Sequence, residues 1–172
     1  MNKVYIKQIE EWTEKRISNI LFDSDIDDWN IDTSVFEERI INKEHIIIII
    51  EDEDGNKFGG YVNSKIDKAG GFINDSQSFV FSLESNGRMK GMMKFDIIEP
   101  QNAFYLGKQS DDCLFAFGYC DIVVYKERYK TQSFYDQNTF DYKGISNALC
   151  GTGLFKNFFI PKRIIVIEMI QS

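Results

Sequence analysis

Apolar positions along this chain change period near residue 45. Ahead of that point they recur at helical spacing. At about 100° per residue, Tyr5, Ile6, Ile9, Trp12, Ile17 and Ile20 share one arc, and Lys7, Glu11, Glu14 and Lys15 lie outside it. This predicts an amphipathic helix over residues 4–21, docked on the domain's own core or offered to a partner chain. After the acidic run Asp23-Ser24-Asp25-Ile26-Asp27-Asp28, Thr33 or Ser34 can cap a second, short helix. Glu37, three residues past Ser34, completes a capping box. That helix runs to about Ile41 and buries Val35, Phe36 and Ile40.

Beyond His45 the pattern is that of strands. Ile46 to Ile50 is an unbroken β-branched run, too short for a typical helix and closed by Glu51-Asp52-Glu53-Asp54, which predicts a strand covered on both faces. Lys43, Glu44 and the acidic turn flank it as charged gatekeepers against aggregation. Asp54-Gly55 supplies the positive φ of a tight hairpin, and Gly59-Gly60 in the returning strand predicts a bulge or a close backbone approach. Phe79, Phe81 and Leu83 alternate with Ser78, Val80 and Ser82, a half-buried strand ending at the turn Asn86-Gly87. Short strands follow at Lys94 to Glu99, Ala103 to Leu106, Leu114 to Phe117 and Ile122 to Tyr125, at the turn spacing of a sandwich or barrel. Residues 126–160 predict a long loop with short turns, and Arg163 to Ile170 a second doubly buried strand.

Composition narrows the partners. A chain of 172 residues with 43% hydrophobic and 15% aromatic content is one domain with ample core, and disorder is excluded. A net charge of −7 and a pI near 4.8 repel phosphate backbones and anionic lipid, so nucleic acid is not an expected partner. Neither a signal-peptide apolar region nor a run long enough to span a bilayer is visible, so no membrane insertion is expected. Cys113, Cys120 and Cys150 are odd in number and lack metal-ligand spacing, which fits a reducing, cytoplasmic setting.

Candidate chemistry is sparse. Asp23, Asp25 and Asp27 match the first, third and fifth places of an EF-hand loop. Asp28 stands where that loop needs Gly and Ser34 where it needs a bidentate Glu, so a solvated acidic loop is expected instead. His45 is the only histidine, and no signature around any Cys marks a thiol nucleophile. Gly151-Thr152-Gly153 lacks the Lys-Ser/Thr of a phosphate loop and reads as a turn. Glu168, inside an apolar strand, must face solvent, find an ion-pair or hydrogen-bond partner, or serve as an acid. Met89, Met92 and Met93 beside Arg88, Lys90 and Lys94 read as a hairpin tip or an oxidisable patch. These residues call for no catalytic group, no cofactor and no metal.

One resemblance organises the rest. Asp54-Gly55-Asn56-Lys57-Phe58-Gly59-Gly60-Tyr61 resembles the Asp/Glu-Gly-x-x-Phe-Gly-Ala/Gly-Tyr signature of TLDc domains. The Ser78-Phe79-Val80-Phe81-Ser82-Leu83 strand is similar to that family's Phe-Leu-Phe-Ser-Leu segment. Lys94-Phe95, Phe115-x-Phe117-Gly118, Asp121-Ile122, Thr139-Phe140 and the final strand through Glu168 follow in the family's order, over about residues 17–170. The chain departs at Gln109-Ser110-Asp111-Asp112, which replaces a glycine cluster, and at Met169, which replaces a final aromatic. The resemblance implies a divergent member: a mainly β (α+β) fold, a two-sheet antiparallel β-sandwich flanked by a few short helices. Within a single domain over 1–172, the amino-terminal helix would take 1–21 and the sandwich 22–170.

It further implies a eukaryotic, non-enzymatic interaction module linked to oxidative-stress resistance and to the peripheral sector of the vacuolar proton-pumping ATPase. The alternatives are a thiol- or carboxylate-based enzyme using a Cys or Glu168, and a calcium- or carbohydrate-binding sandwich using the acidic loop. The aromatic, loop-rich face between 126 and 160 is the expected place of partner contact, since aromatics anchor interfaces.

Overall fold

The computed structural model describes residues 1–151 and 157–172. Helix α1 spans Lys3–Thr13 and is capped by the Asn2 side chain, which accepts from the Val4 N–H at 2.7 Å. It is shorter than the periodicity of its apolar residues implies. Glu14 adopts a left-handed conformation (φ 55°) that ends the helix, and the Glu10 carboxylate accepts the Ile17 N–H across the turn at 3.0 Å. Arg16–Asp23 is instead strand β1. Ile20, expected on the buried helical arc, is 63% exposed. Helical and strand readings of Ile17, Ile20, Leu21 and Phe22 overlap in period, and no glycine marked the break.

Helix α2 (Phe36–Ile40) forms where expected, with Ser34 Oγ accepting from the Phe36 N–H and with Phe36 and Ile40 buried. The remaining strands are β2 (Ile46–Asp52), β3 (Lys57–Val62), β4 (Phe72–Ile73), β5 (Phe79–Glu84), β6 (Met93–Asp96), β7 (Phe104–Leu106), β8 (Cys113–Phe117), β9 (Ile122–Tyr125), β10 (Phe134–Tyr135) and β11 (Pro161–Ile170). Two antiparallel sheets result, ordered β1-β11-β2-β3-β5-β6 and β10-β9-β8-β7-β4. The protein is therefore mainly β, two packed sheets with few short helices, as the resemblance implied. Among the described residues, no helix is long and apolar enough to cross a membrane.

Alternation along β2 explains its isoleucine run. Ile46, Ile48 and Ile50 enter the core between the sheets, with Phe58, Val80, Phe95, Phe115, Phe117 and Val166. Ile47 and Ile49 face the other way and join Tyr61, Phe79, Phe81, Leu83, Ile167 and Met169 beneath Ile9, Tyr5 and Trp12 of α1. The amino-terminal helix thus packs on its own domain. Trp12 lies 6.1 Å from the Phe79 ring and 5.7 Å from that of Phe81. This corrects the half-buried reading of β5: its alternate residues are apolar on the outer side because α1 covers that side, and Phe79 to Leu83 are all buried.

Of the two accounts of Gly59-Gly60, close approach holds. A Cβ on Gly59 would run into the Ile48 carbonyl of the neighbouring strand. One on Gly60 would lie 2.5 Å from the Phe117 ring of the opposite sheet. Gly60→Ala must displace that ring, and we expect it to destabilise the fold by about 1–3 kcal/mol, with Gly59→Ala worse because backbone cannot yield. Urea unfolding should show a lower midpoint at unchanged slope for Gly60→Ala.

Candidate interaction site

Each signature residue has a traceable place. Gly55 (φ 87°) makes the β2–β3 turn, in which Asp52 Oδ1 accepts from the N–H groups of Asp54 and Asn56. Phe58 meets the Phe159 ring at 5.1 Å in the inner core. Tyr61 lies against the Phe79 ring at 5.2 Å, tilted by 33°, and its hydroxyl donates to Asn63 Oδ1 at 2.8 Å; burial pushes that phenol up. Phe117 packs against Phe104 at 5.0 Å as well as against Gly60.

Asp121 is the most heavily engaged carboxylate. It sits in the β8–β9 turn, where Gly118 (φ 67°) leaves space that a Cβ would take from its Oδ1. Its oxygens accept from the N–H groups of Asn138 (3.1 Å) and Thr139 (2.9 Å) and from the Tyr142 hydroxyl (2.7 Å). Burial holds its pKa above the ordinary carboxylate value, and these donors offset only part of that rise. The segment it holds also reaches the first sheet, through Ile98 N–H to Thr139 O and Asp141 N–H to Asp96 O. Asp121 is therefore one end of a strap between the sheets.

Arg88 makes a second tie. Its guanidinium donates to Asn56 Oδ1 at 2.7 Å and to the carbonyls of Asn147 and Leu149. It joins the β2–β3 turn to the segment 147–150. Sequence reasoning missed this role, because a lone Arg beside methionines gives no hint of carbonyl partners far along the chain. Met89, Met92 and Met93 are half-buried against the two cores.

The other candidates also find partners within the chain. Arg163 grips Asp23 with two nitrogens, Nε at 3.1 Å and Nη2 at 2.8 Å, and touches Asp25 at 3.1 Å. Arg39 pairs with Asp27 at 3.3 Å. The three acids in the EF-hand places are thus bound to arginines. Glu168 pairs with Lys43 at 3.9 Å and accepts from Asn19 at 3.4 Å, the ion-pair reading of that residue. The thiols are raised by burial above all, Cys113 to about 12 and Cys150 well above its usual range; Cys120 is raised also. A thiol nucleophile needs the opposite shift. The Thr152-Gly153 part of the predicted turn lies outside the described residues.

Among the described residues of the loop-rich stretch 126–160, four aromatics turn inward while Tyr129 and Phe134 are half-buried and Phe158 is exposed. Tyr135, Phe140, Tyr142 and Phe159 are buried, and Lys126 is buried with its ammonium on the Lys108 and Gln109 carbonyls. Phe134 is different. It faces outward on β10 and begins a row of directly paired residues across the whole second sheet: Phe134, Val123, Ala116, Tyr105 and Phe72. Phe72 contacts Tyr105 at 5.7 Å and the 58%-exposed Tyr119 at 6.3 Å; Tyr125 contacts Phe134 at 6.4 Å. Neither α-helix covers this face, since α1 lies on the outer side of the first sheet and α2 fills the inner core. Its Phe134 end, bridged to the exposed Phe158, is the part that fell within the stretch expected to make contact. The remainder was hidden because β4 and β7 are too short to show an alternation.

A family model described as TLDc domain matches residues 1–156. No curated protein matches the chain.

Two outcomes follow from the carboxylates. Asp23 ionises more readily when folded because Arg163 hydrogen-bonds it. Its stabilisation is complete above the ordinary carboxylate range and is lost as pH falls through the lowered folded pKa. Asp23→Asn should lower stability by about 1–2 kcal/mol at pH 7, and in acid denaturation the gap to the parent should close as pH falls below the ordinary carboxylate range. Asp121→Asn turns an amide NH2 toward backbone donors. A loss of about 2–3 kcal/mol is expected, with amide hydrogen exchange accelerating first at residues 138–142.

Proposed function

The chain belongs to the TLDc domain family, and from that membership we propose a non-catalytic protein-interaction module that acts in oxidative-stress resistance by binding the peripheral sector of the vacuolar proton-pumping ATPase. One observation carries the interaction reading. A row of aromatic and small apolar side chains crosses the outer face of the second sheet, and neither α-helix covers it. Phe72, Tyr105 and Phe134 are partly exposed along that row on an otherwise acidic protein, and such partly exposed aromatics favour a binding face. Its aromatics supply large, rigid contact area of the sort that anchors interfaces. The pump and stress roles come from the family resemblance.

The test is capture by the tagged full chain from native lysate, with and without peroxide, read by mass spectrometry. Peripheral pump subunits should be enriched. The double variant Phe72→Ser, Tyr105→Ser should reduce their recovery about tenfold or more, the scale of an interface anchor. Its melting temperature should stay close to the parent's, because both side chains lie outside the inner core. Recovery of no pump subunit under either condition would refute the pump assignment.

A further inference from the structure

We infer that α1 is an exchangeable arm: two copies of this chain associate by trading it, each α1 docking on the outer face of the other copy's first sheet. The inference stands apart from the pump reading and uses the opposite face of the sandwich.

The seat itself fixes the occupant. Tyr5, Ile9 and Trp12 of α1 pack on the face that holds Tyr61, Phe79 and Phe81, and Lys57 lies over the Tyr5 ring at 5.6 Å. A second copy brings the same helix, so each of these contacts reforms between chains. What distinguishes the closed form from the exchanged one is the hinge.

That hinge is short and strained. Helix α1 ends at Thr13 and β1 begins at Arg16, so Glu14 and Lys15 alone turn the chain. Glu14 does so at φ 55° and ψ 34°, a left-handed conformation in which its Cβ crowds the following carbonyl oxygen. An opened hinge returns Glu14 to the right-handed or extended region in both copies. It gives up the bond from the Ile17 N–H to the Glu10 carboxylate. Short hinge loops under strain invite exchange.

The residues after the hinge can follow. Residues 3–21 contain neither glycine nor proline, and Ile17 and Ile20 continue the helical arc of Tyr5, Ile9 and Trp12. Strand β1 is weakly held there: its register against β11 shifts twice between Ile17 and Phe22, and Ile20 is 63% exposed. No breaking residue stops α1 from lengthening across Glu14 and Lys15, which would carry it off its own sheet toward a neighbour's.

Surface and charge at this end also suit a second copy. Met1, Val4, Ile20 and Ile170 are exposed apolar residues on α1 and on the two strands beside the hinge, where Ile170 pairs with Arg16. Under the first turn of α1, a cavity of about 320 Å³ lies among Tyr5, Ile20, Ile49 and Ile165. Copies joined by their arms meet here, where apolar surface remains to be buried. Residues 1–16 carry four cations (Lys3, Lys7, Lys15 and Arg16) against three acids, whereas the chain as a whole stands at −7. A slightly basic arm thus enters an acidic body.

The test is size-exclusion chromatography with light scattering on the full-length chain. A dimer should appear whose fraction grows with concentration, and it should relax slowly on dilution because α1 must first leave its seat. Glu14→Gly removes the strain of the closed turn and should weaken the dimer by about tenfold or more. Deleting Glu14 and Lys15 leaves too little chain to close and should hold the protein dimeric at every dilution. In a mixture of isotope-labelled and unlabelled chains, the Trp12 ring of one copy should show nuclear Overhauser contacts to Phe81 of the other. Within one closed chain those rings lie 5.7 Å apart.

A parent chain that stays monomeric at every concentration overturns the inference. So does a dimer that Glu14→Gly leaves unchanged, or one in which Trp12 contacts only its own chain's Phe81, which is side-by-side association. Glu14 is exposed, so its substitution leaves the core intact. If circular dichroism shows the deletion unfolded, the parent and Glu14→Gly decide between them. Capture of pump subunits, whichever way it falls, leaves this result untouched.

Discussion

Everything in this sandwich depends on how closely β3 approaches its neighbours. Gly59 lets the β2 backbone come within reach of its ladder partners, and Gly60 lets the Phe117 ring of the opposite sheet rest against the β3 main chain. The separation of the two sheets at the centre is therefore set by a ring on backbone. A methyl group there would push Phe117 into Phe104 and Phe115, with which it is already in ring contact at 5.0 and 6.1 Å. Dense interiors transmit such a shift because there is little free volume to absorb it.

Around that centre, polar groups hold loops in place. Asp121 and Arg88 work as complementary devices: one buried carboxylate collects backbone N–H groups, and one guanidinium collects backbone carbonyls. Both satisfy main-chain groups of an irregular segment whose own sheet pairing, among the described residues, is limited to the short bridge of Phe140 with Ile97 and the single bridge of Phe158 with Phe134. Irregular backbone can be carried across a core's edge only when such partners exist. Residues 138–149, after β10, are thus held by a residue on the β8–β9 turn and another on the β5–β6 hairpin.

Sequence legibility followed the physics of each element. Strands β2 and β11 were visible because residues buried on both faces leave an unbroken β-branched run. The turns at Gly55 and Gly87 were visible because positive φ selects glycine. The end of α1 was not, since Glu14 occupies a left-handed conformation that carries no sequence mark unless glycine or asparagine adopts it. Asp121 and Thr139-Phe140 could be picked out by resemblance, yet nothing in spacing said that one binds the other. The outward row on the second sheet was least legible. Cross-strand neighbours are set by register, and strands of two or three residues do not declare theirs.

Strand β11 has a consequence for how the protein is made. It lies between β1 and β2, yet it follows in sequence every other strand of the two sheets among the described residues. Until it emerges from the ribosome, the first sheet cannot close, and the isoleucines of β2 stand at an open edge with one row of amides and carbonyls unpaired. A nascent chain stalled before Pro161 thus exposes the segment most prone to self-association, with only the acidic turn and Lys43-Glu44 to discourage it. Pairing of β11 with both β1 and β2 is what closes the first sheet, and the edge of β2 is without cover until that pairing forms.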